Sequence, residues 1–316
     1  MRPDEPAAPS RPARRPRLGA LLALLLLLFL WLAISWLAAW FVTHPLTRPV
    51  RLPRDLAPPT REAAFAAPDG TRLSGWWFAE GERPAVVLCH GAFENRLGVI
   101  DCVPRLLAAG ANVLSFDFRG RGRSGGGRST LGKLEAEDVR AAVAWARAQP
   151  ETAGRPVGVM GFSMGGAAVI LAAAADGDIA AVLADSPYAS LDRGIDRHLR
   201  TFLGPLAGTV GWPTRRLGEW MLGFDPRTLR PVDVVARLAP RPLLLIHGLG
   251  DFMTPPEDSQ ALAAAAGPSA QLWLVPRARH TKARRLVPAE YWARASTFWR
   301  AALATDGRID KPQAVR

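Results

Sequence analysis

Cysteine is scarce: only Cys89 and Cys102 occur in 316 residues. No C-x-x-C pair and no Cys/His cluster accompanies them, so the ligand spacing of a structural zinc site is missing. Cys89 closes an apolar run and Cys102 falls in the helix expected after it, so two buried free thiols are predicted rather than a disulfide. Lysine is nearly absent too, and the net charge of +12 is carried almost wholly by arginine. The arginines are scattered along the chain. With no basic stripe interleaved with aromatics and no recognition motif, nucleic acid is not an expected partner. The charge reads as compositional bias with some attraction to anionic lipid. No internal repeat is evident, and no metal or organic cofactor is expected.

What is present begins with a long uncharged run, Leu18 to Val42, dominated by leucine, alanine and tryptophan. At a rise of about 1.5 Å per residue it crosses a bilayer of about 30 Å. A cleaved signal has an apolar core of roughly 7–15 residues followed by small residues. Here the run is longer, and Trp40-Phe41 stands where small residues would be. An uncleaved transmembrane anchor is therefore predicted over 18–42, with Trp36 and Trp40 at the interface. Arg2, Arg11, Arg14, Arg15 and Arg17 precede it, against Arg48, Arg51 and Arg54 after it. That excess places the N-terminus in the cytoplasm and the remainder outside it. The proline-rich arm 1–17 is expected to be disordered, 43–60 to be a linker, and 306–316 a tail.

About 270 residues follow the anchor, enough for one large α/β domain. Glu62–Ala67 and Thr71–Phe78 flank Asp69-Gly70, a two-residue hairpin signal. Strands and helices then alternate: Ala85–Cys89, helix Arg96–Ala109, Asn112–Phe116, helix Leu134–Gln149, Val157–Met160, a helix, Ile179–Ala184, Leu243–His247, helix Glu257–Ala266, Gln271–Val275 and helix Ala289–Ala304. Such alternation predicts an α/β fold, a mostly parallel sheet with helices on both faces. Residues 186–240 break the rhythm with Pro187, Pro205, Pro213, Pro226 and Pro231 and with Phe202, Trp212, Trp220, Met221 and Phe224. They predict a helical cap insertion whose aromatics pack it onto the sheet, the alternative being an acyl pocket lined by them.

Gly161-Phe162-Ser163-Met164-Gly165 lies between the short run Pro156–Met160 and an alanine-rich helix. In a strand–turn–helix setting this G-x-S-x-G is a nucleophile elbow, with Ser163 clear of the backbone at the positive end of the helix. A second copy, Gly122-Arg123-Ser124-Gly125-Gly126, sits in a glycine- and arginine-rich loop that opens no helix, so Ser124 reads as a loop residue. The same loop spells G-x-G-x-x-G, but a dinucleotide site needs a helix to open there.

A serine nucleophile needs a base, and the base an orienting carboxylate. Sites in α/β sheets gather at the carboxyl ends of strands. Of five histidines, His44 lies beside the membrane segment, His198 in the cap, and His90 and His247 in His-Gly pairs that read as turns. His280, after the last strand, is the candidate base. Asp117, Asp185 and Asp251 all follow strands, and Asp251 completes the order Ser, Asp, His that goes with the elbow. Two N–H donors are needed for an oxyanion. The backbone of Met164 is one, and that of Ala92 in His90-Gly91-Ala92-Phe93 the other, with Phe93 in reserve.

With His90-Gly91, Asp117–Ser124, Gly161–Gly165, Asp185-Ser-Pro187, His247–Asp251 and His280 in place, the chain resembles the alpha/beta-hydrolase superfamily. It is most similar to the branch labelled serine aminopeptidase-like or lysophospholipase-like, over roughly residues 60–305. Thr281, where relatives often carry a small residue or serine, departs from the pattern. The resemblance implies an alpha/beta-hydrolase domain over 61–305 with the cap at about 186–240. It also implies a membrane-anchored serine hydrolase acting on a small-molecule or lipid ester or thioester. Ser163, Asp251 and His280 would be catalytic, with Ala92 and Met164 at the oxyanion hole. A serine peptidase and a non-catalytic interaction domain on the same scaffold are the alternatives.

Overall fold

A computed structural model describes residues 18–44 and 49–304. The basic arm 1–17, Arg48 and the tail 306–316 lie outside the described residues. Eight strands form one sheet: β1 (Arg61–Ala66), β2 (Arg72–Phe78), β3 (Ala85–Cys89), β4 (Asn112–Asp117), β5 (Val157–Phe162), β6 (Ile179–Asp185), β7 (Leu243–Gly248) and β8 (Ala270–Val275). Their order is β1-β2-β4-β3-β5-β6-β7-β8. The Asp69-Gly70 turn joins β1 and β2 antiparallel, in the register Ala66↔Arg72. β2 pairs antiparallel with β4, and β4, β3, β5, β6, β7 and β8 run parallel. β3, β4, β5 and β7 are buried along their whole length and β6 everywhere but at Ala180, which explains why they read as apolar runs and not as alternating patterns.

Helices cover both faces. One layer holds Lys133–Arg147, Met164–Ala175 and Pro256–Ala266, whose Val139, Val169 and Leu262 are buried against the sheet. The other holds Val103–Ala108 and Pro288–Ala302, with Leu106, Tyr291 and Trp299 buried. Most elements lie within two residues of their predicted bounds. The helix predicted over Arg96–Ala109 is an exception: it is two 3-10 turns, Arg96–Gly98 and Ile100–Cys102, before a short α-helix from Val103. The reason lies in β4. Asp117 accepts from the Arg96 backbone N–H at 2.8 Å and from its guanidinium at 2.7 Å, which ties the start of this segment to the sheet. Cys89 and Cys102 are buried free thiols, as expected.

The N-terminal helix, Leu18–Thr43, is the one described helix long and apolar enough to cross a membrane. Its last turns belong to the globular part. Ser35, Ala39 and Thr43 form a buried stripe of small side chains, which lets another helix approach closely. That helix is Gly211–Leu222, in the excursion between β6 and β7. Trp31 Nε1 donates to Thr209 O at 2.9 Å, and Thr43 Oγ1 reaches Met221 Sδ at 3.6 Å. The Ser129 N–H donates to Thr43 O at 2.7 Å, tying the helix end to the loop after β4.

This docking corrects the expectation that the aromatics of 186–240 pack onto the sheet. Met221 is buried and Phe224 half-buried under the Lys133 ammonium. Phe202, Trp212 and Trp220, however, are 67%, 65% and 75% exposed. The inner face of Gly211–Leu222 is occupied by the N-terminal helix, so its tryptophans point away from the sheet.

Candidate active site

The turn after β5 is fixed by two close approaches. A Cβ at Gly161 would lie 2.2 Å from Gly165 O, and one at Gly165 would lie 2.5 Å from His90 O. Only hydrogen fits at either place. Between them Ser163 has φ +55° and ψ −121°. That is a costly conformation for a residue with a Cβ, held by the surrounding turn. The Ser163 N–H donates to Asp185 O at 2.9 Å, and the helix Met164–Ala175 starts at the next residue.

His280 lies 117 positions further along, with Nε2 2.8 Å from Ser163 Oγ. Its Nδ1 is 2.6 Å from Asp251 Oδ2. A carboxylate can only accept here, so Nδ1 carries the proton and Nε2 presents its lone pair to the serine hydroxyl. The structure thus brings together all three side chains singled out in the sequence. Asp251 is nearly fully buried and four groups hold it. The N–H groups of Met253 and Thr254 donate to Oδ1, each at 2.9 Å. His280 and His247 share Oδ2, the latter at 3.2 Å. Burial alone would raise the carboxyl pKa. The hydrogen bonds from His247, His280 and Thr254 outweigh it and hold Asp251 below the usual carboxylate range.

His247 is the residue the sequence reading missed. Its His-Gly pair suggested a turn, and the signal lay in the i, i+4 spacing to Asp251. Nδ1 pairs with Ser259 Oγ at 2.6 Å and Nε2 with Thr254 O at 2.9 Å. Burial opposes its charged form, but the hydrogen bonds to Asp251 and Thr254 prevail and raise its pKa. His90 does shape a turn: Nδ1 pairs with Gly91 O at 2.8 Å, and Nε2 accepts from the Phe118 N–H at 3.1 Å. Burial lowers its pKa, in keeping with a neutral ring.

The competing carboxylates have other partners. Asp185 accepts from Ser186 Oγ at 2.9 Å and from the Tyr291 hydroxyl at 3.0 Å. Ser186 in turn accepts from the Thr281 N–H at 3.2 Å, so this cluster steadies the loop that carries His280. Asp117 accepts from Arg96 and, at 2.8 Å, from the Arg123 N–H. Ser124 Oγ donates to Asp117 O at 2.6 Å and accepts from the Ser74 N–H at 2.9 Å. The second G-x-S-x-G copy is therefore a tied loop whose hydroxyl is already engaged.

Ala92, Met164, Ser163 and His280 line one cavity of about 1610 Å³. Neither the Ala92 nor the Met164 N–H has a hydrogen-bond partner among the described residues. A Cβ at Gly91 would lie 3.6 Å from that of Ser163, so the loop after β3 passes beside the serine. Phe93, Phe202, Phe252, Met253, His198 and the end of the N-terminal helix (Ala38, Phe41 and Val42) complete much of the wall. Phe41 stacks on Phe93 at 6.0 Å.

A largely parallel sheet that presents a strained serine at the carboxyl end of an interior strand is the architecture of the alpha/beta hydrolases, and the chain belongs to that superfamily. It is a hydrolase of this fold. Residues 80–223 match the family model described as serine aminopeptidase, S33. The chain is 31% identical over 242 residues to the uncharacterized protein Rv2307c of Mycobacterium tuberculosis, covering 76% of this chain and 79% of that one. It is 32% identical over 228 residues to YfhR of Escherichia coli O157:H7, covering 69% and 72%. Among solved structures, the Pyrococcus furiosus esterase Pf2001 superposes with a TM-score of 0.68 at 28% identity, over 82% of this chain and 99% of that one.

Proposed function

We propose that the protein is a membrane-anchored serine hydrolase that cleaves an ester or thioester of a lipid-like or acyl substrate. The observation that carries this reading is the hydrogen-bonded chain Ser163–His280–Asp251 in the wall of a cavity whose surface is mostly apolar. In the proposed reaction His280 Nε2 takes the proton of Ser163 Oγ as the oxygen attacks the carbonyl carbon. Asp251 stabilises the imidazolium. The Met164 and Ala92 N–H groups receive the oxyanion. The imidazolium then protonates the leaving alcohol or thiol, and water, activated by His280, releases the acid from the acyl-enzyme. No metal or organic cofactor takes part in this scheme. The excursion over 186–240 serves as the cap, and Leu18–Thr43 as the anchor, with the N-terminus in the cytoplasm.

The test uses the full chain in detergent, a fluorescent phosphonate, and chromogenic esters of increasing acyl length. Labelling and hydrolysis are expected in the native chain and in Ser124→Ala, and neither in Ser163→Ala. Equal inertness of native and Ser163→Ala chains, both folded, would leave a binding role on a hydrolase scaffold. Faster turnover of amino-acid arylamides than of esters would favour the peptidase reading, which the family model's description supports.

A further inference from the structure

The N-terminal helix and the excursion helix Gly211–Leu222 run side by side in the same direction. Trp31 meets Thr209 and Thr43 meets Met221, two contacts with the same sequence offset of 178. Both helices rise about 1.5 Å per residue, so heights on one translate into heights on the other. Trp212 is level with Ile34, Arg216 with Ala38, and Trp220 with Val42.

About 20 residues cross the hydrocarbon of a bilayer. Counted from Leu18, which follows Arg17, that layer ends near Leu37. Trp212 then lies roughly 5 Å inside the hydrocarbon, Arg216 at its boundary, and Trp220 roughly 7 Å beyond it among the headgroups. The three fall on one face of the excursion helix, opposite the face that meets the N-terminal helix. Tryptophans flanking an arginine at this depth match the composition of a membrane interface. Trp36 and Trp40 of the N-terminal helix, stacked at 6.1 Å, bracket the same level. Leu206, in the turn before Thr209, is 59% exposed and sits deeper still. In water these would be isolated apolar liabilities; beside a spanning helix they are continuous with its lipid-facing surface.

We infer that the turn 204–210 and the helix Gly211–Leu222 are seated in the same leaflet as the end of the N-terminal helix. The bilayer surface is thus a docking partner of the globular part. The cavity of Ser163 includes Ala38, Phe41 and Val42 in its wall, from the boundary of the acyl chains at Ala38 up to the headgroup level at Phe41 and Val42. An acyl chain held in that leaflet can therefore slide into the cavity sideways, without passing through water. The substrate class this selects is a membrane-resident acyl ester or thioester. That last step rests on the serine-hydrolase reading above, whereas the seating itself does not.

The test places an environment-sensitive fluorophore on single introduced cysteines in the full chain, reconstituted in phosphatidylcholine vesicles with doxyl-labelled lipids. Cys89 and Cys102 are buried and escape labelling. The variants are Leu28→Cys in the N-terminal helix, Trp212→Cys, Trp220→Cys, and Glu82→Cys in the loop before β3, at the amino ends of the parallel strands and so opposite the site. Quenching by mid-chain doxyl lipid is expected at 28 and 212, by shallow doxyl lipid at 220, and by neither at 82. Quenching at 28 with 212 and 220 as wet as 82 would overturn the seating while leaving the anchor. No quenching at 28 would overturn both. A second arm joins Trp212→Glu with Trp220→Glu. The expected result is a fall of about tenfold in kcat/KM for a long-chain acyl ester in vesicles, with an unchanged rate of labelling by a soluble phosphonate. Equal losses in the two assays would mark the tryptophans as structural. A chain inert toward esters, yet quenched at 212, would keep the seating and remove only the hydrolase reading.

Discussion

His247 and His280 converge on one oxygen of Asp251, the first at 3.2 Å and the second at 2.6 Å. The carboxylate that orients the candidate base is itself oriented by a second imidazole, which Ser259 and Thr254 hold in turn. Its freedom to rotate is removed before any substrate arrives.

His247→Ala should therefore lower kcat about tenfold, the equivalent of losing one hydrogen bond to a charged group, about 1.5 kcal/mol. KM should stay unchanged. His247→Gln, which keeps a donor near Oδ2, should recover part of the rate. Steady-state kinetics on one chromogenic ester compare the three chains; a rise in KM with kcat unchanged would place His247 in substrate binding instead.

Asp251→Asn should cost about 10⁴-fold in kcat, because the imidazole is then free to adopt the wrong tautomer. It should also change stability with a definite pH dependence. The folded carboxyl has a pKa below its unfolded value of about 3.9, so its contribution is complete above about pH 5 and is lost as pH falls through 4 and below. Urea midpoints of the native and Asp251→Asn chains should differ at pH 7 and converge towards pH 2. A gap that widens in acid would reverse the sign of the linkage.

Gly161→Ala and Gly165→Ala each force a methyl group into backbone atoms within 2.2–2.6 Å. Each should destabilise by about 3 kcal/mol and displace Ser163 from His280, abolishing phosphonate labelling. Gly177→Ala, with nothing within 4 Å of its Cβ, is the control and should leave thermal midpoint and labelling unchanged.

Asp117 and Arg96 form an ion pair with no exposure of either side chain. Asp117→Ala strands the guanidinium in the interior and should cost about 4 kcal/mol, read as a lowered denaturation midpoint. Any activity left at low temperature should show an unaltered KM, since the pair touches neither Ser163 nor His280.

Much of this molecule is legible in its sequence because the deciding signals are local. Asp69-Gly70 specifies the hairpin, the buried apolar runs specify the parallel strands, and the spacing of Gly161, Ser163 and Gly165 is dictated by the closeness of Gly165 to His90. What escaped the reading depends on contacts between distant segments. The 3-10 turns at Arg96 are imposed by Asp117, which periodicity cannot register. His247 meets Asp251 through the curl of a loop, not through a strand pattern. The exposed faces of Trp212 and Trp220 follow from Ser35, Ala39 and Thr43, more than 160 residues away, taking the place on the helix that the sheet was expected to fill.

That stripe of small residues has a mechanical consequence. A flexible tether lets an enzyme sample a hemisphere of solution and meet dissolved substrate by volume concentration. Here the last turns of the N-terminal helix are bolted into the globular part, so with that helix spanning a bilayer, as proposed, the site would stand at one fixed height with one fixed azimuth to the membrane plane. For an enzyme built in this way, supply is a two-dimensional matter. The quantity that would set its turnover is the number of substrate molecules per unit area of leaflet, and its encounter rate would be the rate at which lipids diffuse past a stationary mouth.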